Sequence, residues 1–224
     1  GPYFATHVAA DPATGQAWWG FATAAAGLLI ALASPVLGAI ADASGRRKPW
    51  IAAFGALLVI GASLMWIGKP GNPAIIPPLL IAYAIATIGV EFATVFNNAM
   101  MPSLVPPHKI GRLSGSGWAL GYVGGIISLI IVLGFLAANP ESGRTLFCFV
   151  PLVGLDPETF QGDRITGPLT ALWFVVFVLP MFLLTPDFPA KLSVRAAVRG
   201  GLTDLRGTLR ELPQHRSMLA FLIA

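Results

Sequence analysis

Glu91 is the only charged residue between Ala74 and Met101, and it lies well inside that run. Thr94 and Asn98 follow it at i+3 and i+7, so a helix would set all three on one face, with Asn97 beside them. If the run crosses a bilayer, a carboxylate at that depth is costly and persists only when protonated, paired or facing water. Such an acid is a candidate proton carrier, or a site for a cationic group on a solute. The plainer reading is a neutral Glu hydrogen-bonded to a neighbouring helix.

Two other groups of residues carry chemistry. Gly38, Asp42 and Gly45 precede three adjacent cations, Arg46, Arg47 and Lys48. Gly38 would let a helix end approach a neighbour, and Gly45 would supply a turn. Asp42 would pair with a cation or meet a helix N-terminus. The other group is a row of glycines, Gly117, Gly121, Gly124 and Gly125, at i, i+4, i+7 and i+8. One face of small residues lets two backbones approach closely. The groups an enzyme would need are not gathered in the sequence. His7, His108 and His215 are far apart, the carboxylates are scattered, and the single Cys148 excludes an intrachain disulfide or a cysteine metal cluster. No cofactor or metal site is expected.

The elements that must position these residues are apolar and long. Hydrophobic residues are 55% of the chain and charged residues 11%, against about 25% charged in soluble domains; the mean hydropathy is +0.75. The 224 residues are therefore best counted as spans of about 20 residues each. Residues 1–9 read as the outer end of a first helix whose beginning is missing, and Asp11 to Gly15 as a turn. A second span starts near Ala17, with Ala24, Gly27, Ala31, Ser34 and Gly38 on one small-residue face and a kink at Pro35. The third runs from Trp50 to Ile67. Its Trp50 and Trp66 are sixteen residues apart, or roughly 24 Å, close to the hydrocarbon thickness. The fourth covers about Ala74 to Met101, the fifth continues to about Ala138, residues 139–166 form a long loop, and the sixth covers Pro168 to Leu184.

Charge orients these spans. The loops after the second, fourth and sixth hold three, two and six Lys or Arg, leaving Lys69, Arg144 and Arg164 on the opposite side. Cytoplasmic loops carry the cations, so the even-numbered helices end in the cytoplasm and the missing N-terminus is cytoplasmic too. The net charge of +4 thus reports orientation in a bilayer, and no nucleic-acid partner is expected. Beyond the spans, Val198, Leu202, Leu205, Leu209 and Leu212 form a helical stripe flanked by Arg195, Arg199, Arg206 and Arg210. That pattern suits a helix lying along lipid headgroups, and equally one packed under the bundle. An apolar run begins again within residues 217–224.

Spelled G-x-x-x-D-x-x-G-R-R-K, the stretch Gly38 to Lys48 resembles the signature between the second and third helices of major facilitator superfamily transporters. The row from Gly117 to Gly125 resembles the superfamily's fifth-helix pattern G-x-x-x-G-P-x-x-G-G, with Tyr122 in place of Pro and the Gly pair one residue early. The arginine of the fourth-helix motif is absent. Within the superfamily, Pro35 to Asp42, Gly45 to Trp50, Asn97 to Pro102 and Gly111 to Gly125 resemble the vacuole-effluxer-like branch, whose fungal members are linked to amino-acid efflux and whose bacterial members mostly lack an assigned substrate.

The resemblance implies an all-α membrane protein. Residues 1–186 would be the N-terminal six-helix bundle with its first helix truncated, 187–216 a cytoplasmic linker with an amphipathic helix, and 217–224 the start of a seventh helix. The partners implied are the lipid bilayer, a small-molecule solute and the missing C-terminal half, in what is expected to be a bacterial inner membrane. In such folds the first and fourth helices line the cavity, which would put Glu91, Thr94, Asn97 and Asn98 on the substrate or proton path. The stretch from Gly38 to Lys48 would act as a conformational latch between two bundle arrangements, as alternating access requires. A membrane scaffold and a lipid-processing enzyme are the alternatives, and the scaffold would have no need of a mid-span Glu.

Overall fold

In the computed structural model the described residues are 1–43, 46–187, 196, 198–200 and 203, excluding the side chains of residues 39, 42 and 43. Among the described residues, six named α-helices follow a turn of π-helix, Phe4–Val8: α1 Pro12–Ala43, α2 Lys48–Leu64, α3 Ile76–Leu104, α4 Ile110–Ile131, α5 Gln161–Arg164 and α6 Thr166–Leu184. No strand occurs among the described residues. Among the described residues, five segments are long and apolar enough to cross a membrane: Pro12–Gly38, Lys48–Ile67, Pro73–Leu104, Pro107–Leu136 and Gln161–Leu184. They are the expected second to sixth spans.

Helix starts follow local chemistry. The expected turn at Asp11 to Gly15 is instead the opening of α1. The Asp11 carboxylate accepts from the N–H groups of Ala13 and Thr14 at 3.0 and 2.9 Å, and Pro12 stands where a helix needs no N–H. Gly15 serves a close approach instead of a turn, because a Cβ there would meet the Ala5 Cα at 2.6 Å. Asn72 likewise accepts from the Ala74 N–H ahead of α3. Pro35 sits inside α1 without ending it.

The helices pack in the order α6, α2, α3, α1, and the α2–α3 seam is the most extensive contact. That seam depends on glycine. A Cβ on Gly89 of α3 would lie 2.6 Å from the Leu58 backbone N and 2.7 Å from the Phe54 carbonyl O on α2. On α2, a Cβ on Gly61 would lie 2.5 Å from the Ala82 carbonyl O and 2.7 Å from the Ala86 N. Three apolar clusters are stacked through the bundle: Ile40, Ala41, Ile51, Phe96 and Met100 at one end, Leu58, Ala62, Ala86 and Ala171 in the middle, and Phe4, Val8 and Leu79 at the other. Trp50 stacks on Phe96 in the first cluster at 5.3 Å and 8°.

α4 is different, since it has no buried residue along its length. An added Cβ at Gly117, Gly121 or Gly125 would meet nothing within 4 Å, and one at Gly124 only the Trp173 Nε1 at 3.8 Å. The glycine row therefore faces open space in this bundle, and the close helix approaches fall on other glycines, Gly61 and Gly89 in the α2–α3 seam and Gly167 of α6 against the Ala62 carbonyl of α2. On α1, Ala24, Gly27 and Ala31 are also exposed, whereas Ala26 and Ile40 are buried. The long loop carries α5, and Gly162 fits against Leu136 and Ala137 at the end of the fifth span.

Candidate functional site

α3 has two unlike sides. Leu79, Ala82, Ala86, Gly89, Phe92, Ala93, Phe96 and Met100 are buried against its neighbours. Glu91, Thr94, Asn97 and Asn98 are all exposed. The Thr94 hydroxyl donates to the Val90 carbonyl of its own helix at 2.8 Å. The Glu91 carboxylate and the Asn97 and Asn98 amides have no hydrogen-bond or ionic partner among the described residues. The structure thus brings the four together on one side of one helix, pointing away from the packed core.

Reading along the same face extends the group. Tyr83 and Thr87 precede Glu91 by eight and four residues, so Tyr83, Thr87, Glu91, Thr94 and Asn98 make one stripe. The fifteen steps from Tyr83 to Asn98 cover roughly 22 Å of helix, most of a hydrocarbon core of about 30 Å. α1 contributes at one end. The Thr23 and Tyr83 hydroxyls hydrogen-bond at 3.1 Å, and the Trp19 ring lies 4.0 Å from the Tyr83 ring. Tyr83 and Thr87 escaped the sequence reading, although polar residues at every fourth position from Tyr83 to Glu91 were the available signal.

The cationic loop caps helices. The Lys48 Nζ donates to the Phe182 and Thr185 carbonyls at 2.8 and 2.5 Å, closing the C-terminus of α6. The Arg47 Nε donates to the Ala41 carbonyl at 2.9 Å, near the end of α1, and its backbone N–H donates to the Asp187 carboxylate at 3.0 Å. A cation suits a helix C-terminus, where carbonyls lack partners and the dipole is negative. Arg46 is exposed with no side-chain partner among the described residues. Gly38 is half-buried, with open space where a Cβ would stand. Gly45 and the Asp42 side chain lie outside the described residues, so the structure connects only Arg47 and Lys48 of the expected latch to helix ends.

Arg164 was counted above only as a loop cation. It is 3% exposed. Its Nε and Nη2 donate to the Trp66 carbonyl at 2.9 and 2.5 Å, and its guanidinium lies 4.5 Å from the Trp66 ring centroid. Nη1 has no partner. The side chain joins the end of α2 to the start of α6 on the side opposite the cationic loop. The signal was a lone Arg at the threshold of a long apolar helix.

Most of the arginine-flanked stripe lies outside the described residues, from Leu202 through Leu205, Leu209 and Leu212. Val198 is described, and it packs against the cluster of Ile40, Ala41, Ile51, Phe96 and Met100. Residues 217–224 are not described.

These features define a multi-pass, all-α integral membrane protein with a polar stripe along one of its membrane-crossing helices. The family model described as MFS/sugar transport protein matches residues 2–224, and the chain belongs to that family, within the major facilitator superfamily. Among curated proteins it is similar to an "Uncharacterized MFS-type transporter YxiO" of Bacillus subtilis (strain 168), 25% identical over 218 residues. That alignment covers 95% of this chain and 46% of the relative, so the chain spans about half the relative's length. No solved structure matches the chain.

Proposed function

We propose that the chain is the N-terminal bundle of a secondary active transporter, which moves a small solute by alternating access between two bundles. The supporting observation is the unpartnered, outward-facing Glu91 on the stripe from Tyr83 to Asn98. A carboxylate with neighbouring amides and hydroxyls is too costly to leave among acyl chains. Along most of a membrane-crossing helix, such a face belongs beside water. Glu91 is the proton or cation carrier of that path, and Thr94, Asn97 and Asn98 contact the solute.

The division at residues 1–186, 187–216 and 217–224, and a location in a bacterial inner membrane with a cytoplasmic N-terminus, belong to this reading. So does the vacuole-effluxer-like branch, which makes amino acids the first solutes to try. The family's description names sugar transport, so sugars are the second. The partners are the bilayer, the solute and a C-terminal half. A lipid-processing enzyme does not fit the transporter family.

The test uses proteoliposomes of the full-length protein and a panel of radiolabelled amino acids and sugars under an imposed pH gradient. For the solute that accumulates, Glu91→Gln abolishes the pH dependence of uptake and lowers its rate at least tenfold. Unchanged rate and pH dependence in Glu91→Gln rule out the role given to Glu91.

A further inference from the structure

The loop between α4 and α5 holds a surface that the transport path does not use. From Thr145 to Leu155 the chain carries no charged residue, and Arg144 and Asp156 flank the run. Its apolar side chains are turned outward: Leu146 is 70% exposed, Val150 70%, Leu152 54% and Val153 89%. In water, an apolar patch of this kind marks a contact with something else.

The run is tied to the last turns of the fifth span, and that fixes its height. The Leu146 N–H donates to the Leu133 carbonyl at 3.0 Å. The Phe147 ring occupies the space a side chain on Gly134 would need, and Phe135 lies 5.6 and 5.9 Å from the rings of Phe147 and Phe149. Leu133 to Phe135 fall inside the membrane-crossing segment Pro107–Leu136, so the loop folds back to the level of apolar helix. Exposed Leu129, Ile130 and Leu133 continue its surface down the fifth span.

Between Thr145 and Phe149 part of the backbone polarity is met internally, whereas the N–H groups of Phe147 and Val150 have no partner among the described residues. Thr145 N–H donates to the Phe149 carbonyl, Cys148 N–H to the Thr145 carbonyl and Phe149 N–H to the Thr145 Oγ1, while the Arg144 Nη1 donates to the Cys148 carbonyl at 2.8 Å. In the hydrocarbon core irregular chain must find protein partners for its N–H and C=O groups, whereas at the interface water and headgroups serve those left over. An apolar surface with charged flanks is the composition of an interfacial element.

We propose that residues 145–154 form a lip seated in the bilayer interface on the side opposite the 46–48 loop. Leu146, Val150, Leu152 and Val153 lie among the upper acyl chains, and Arg144 and Asp156 lie at headgroup level. The occupant of this surface is lipid. The proposal needs only the membrane-spanning fold and is independent of any role for Glu91.

The experiment uses the full-length protein with a single cysteine carrying bimane, in phosphatidylcholine–phosphatidylglycerol vesicles. The label is placed at native Cys148, or at Val150→Cys or Val153→Cys combined with Cys148→Ser, with Ser142→Cys as the aqueous reference. Brominated acyl chains quench the probes at 150 and 153 at least threefold more strongly than aqueous iodide does, and the order reverses at 142. Stronger iodide quenching at 150 and 153 would show a water-facing loop and overturn the proposal. Protection from both quenchers would overturn it too, by showing that protein covers the patch.

Discussion

Gly89→Ala tests the packing that sets the polar stripe in place. The new Cβ would sit 2.6 and 2.7 Å from two backbone atoms of α2, neither of which can rotate aside, so the seam must open by most of an ångström. Overpacking of that kind costs about 1–3 kcal/mol. Ala is the better helix former by about 1 kcal/mol, which offsets part of the cost. At Gly117 and Gly121 only the helix gain remains, since a Cβ there meets nothing in this bundle. The two classes should therefore differ by about 1–3 kcal/mol in favour of the α4 variants. In a chain of this size that is roughly 2–12 °C of Tm. Detergent-solubilised full-length protein, heated in steps and assayed by size-exclusion fluorescence, reads this directly. If Gly89→Ala melts at or above Gly117→Ala, the backbone-to-backbone seam described here is wrong. Destabilisation by Gly117→Ala would instead place a contact on the glycine row from outside this chain.

The capping role of Lys48 predicts that Lys48→Met, which keeps the stem, loses about 1.5–3 kcal/mol, the range for hydrogen bonds to a charged donor. Arg46→Met, without a partner among the described residues, should melt unchanged; equal loss in both would make the effect one of net charge. Acid should also weaken the loops. Asp11 is held below the ordinary carboxylate value by hydrogen bonds from Thr14 and Ala13, and Asp156 by those from Thr159 and Glu158. A depressed pKa contributes stability above the unfolded value of about 3.9 and loses it as pH falls through the folded value. Melting curves of the parent should therefore decline below about pH 4, and the decline should be shallower in Asp11→Asn combined with Asp156→Asn. An unchanged slope contradicts the assignment.

The spans were legible because an apolar run of twenty residues has few alternatives, and Glu91 because a charge inside such a run is conspicuous. The sequence could not show what depends on distant partners. Asp11 reads as turn or cap with equal ease until the Ala13 and Thr14 N–H groups are seen to converge on it. Lys48 counts as one more cytoplasmic cation until its Nζ is found on carbonyls more than 130 residues away. Glycine spacing marked Gly117 to Gly125, but spacing cannot say whether a second backbone stands opposite, and those that meet a neighbouring backbone include Gly15, Gly61, Gly89 and Gly167. Arg164 was hidden for the same reason, since its partner Trp66 is 98 residues earlier.

The central claim is that the stripe on α3 faces water within the membrane. It is tested most directly by placing single cysteines at Thr87, Thr94 and Asn98 in a cysteine-free full-length protein, with Ala86 and Ala93 on the packed side as controls. A membrane-impermeant methanethiosulfonate, applied to both sides of sealed vesicles, should modify the three stripe positions at least tenfold faster than the controls. Stripe positions as slow as the controls would contradict the account.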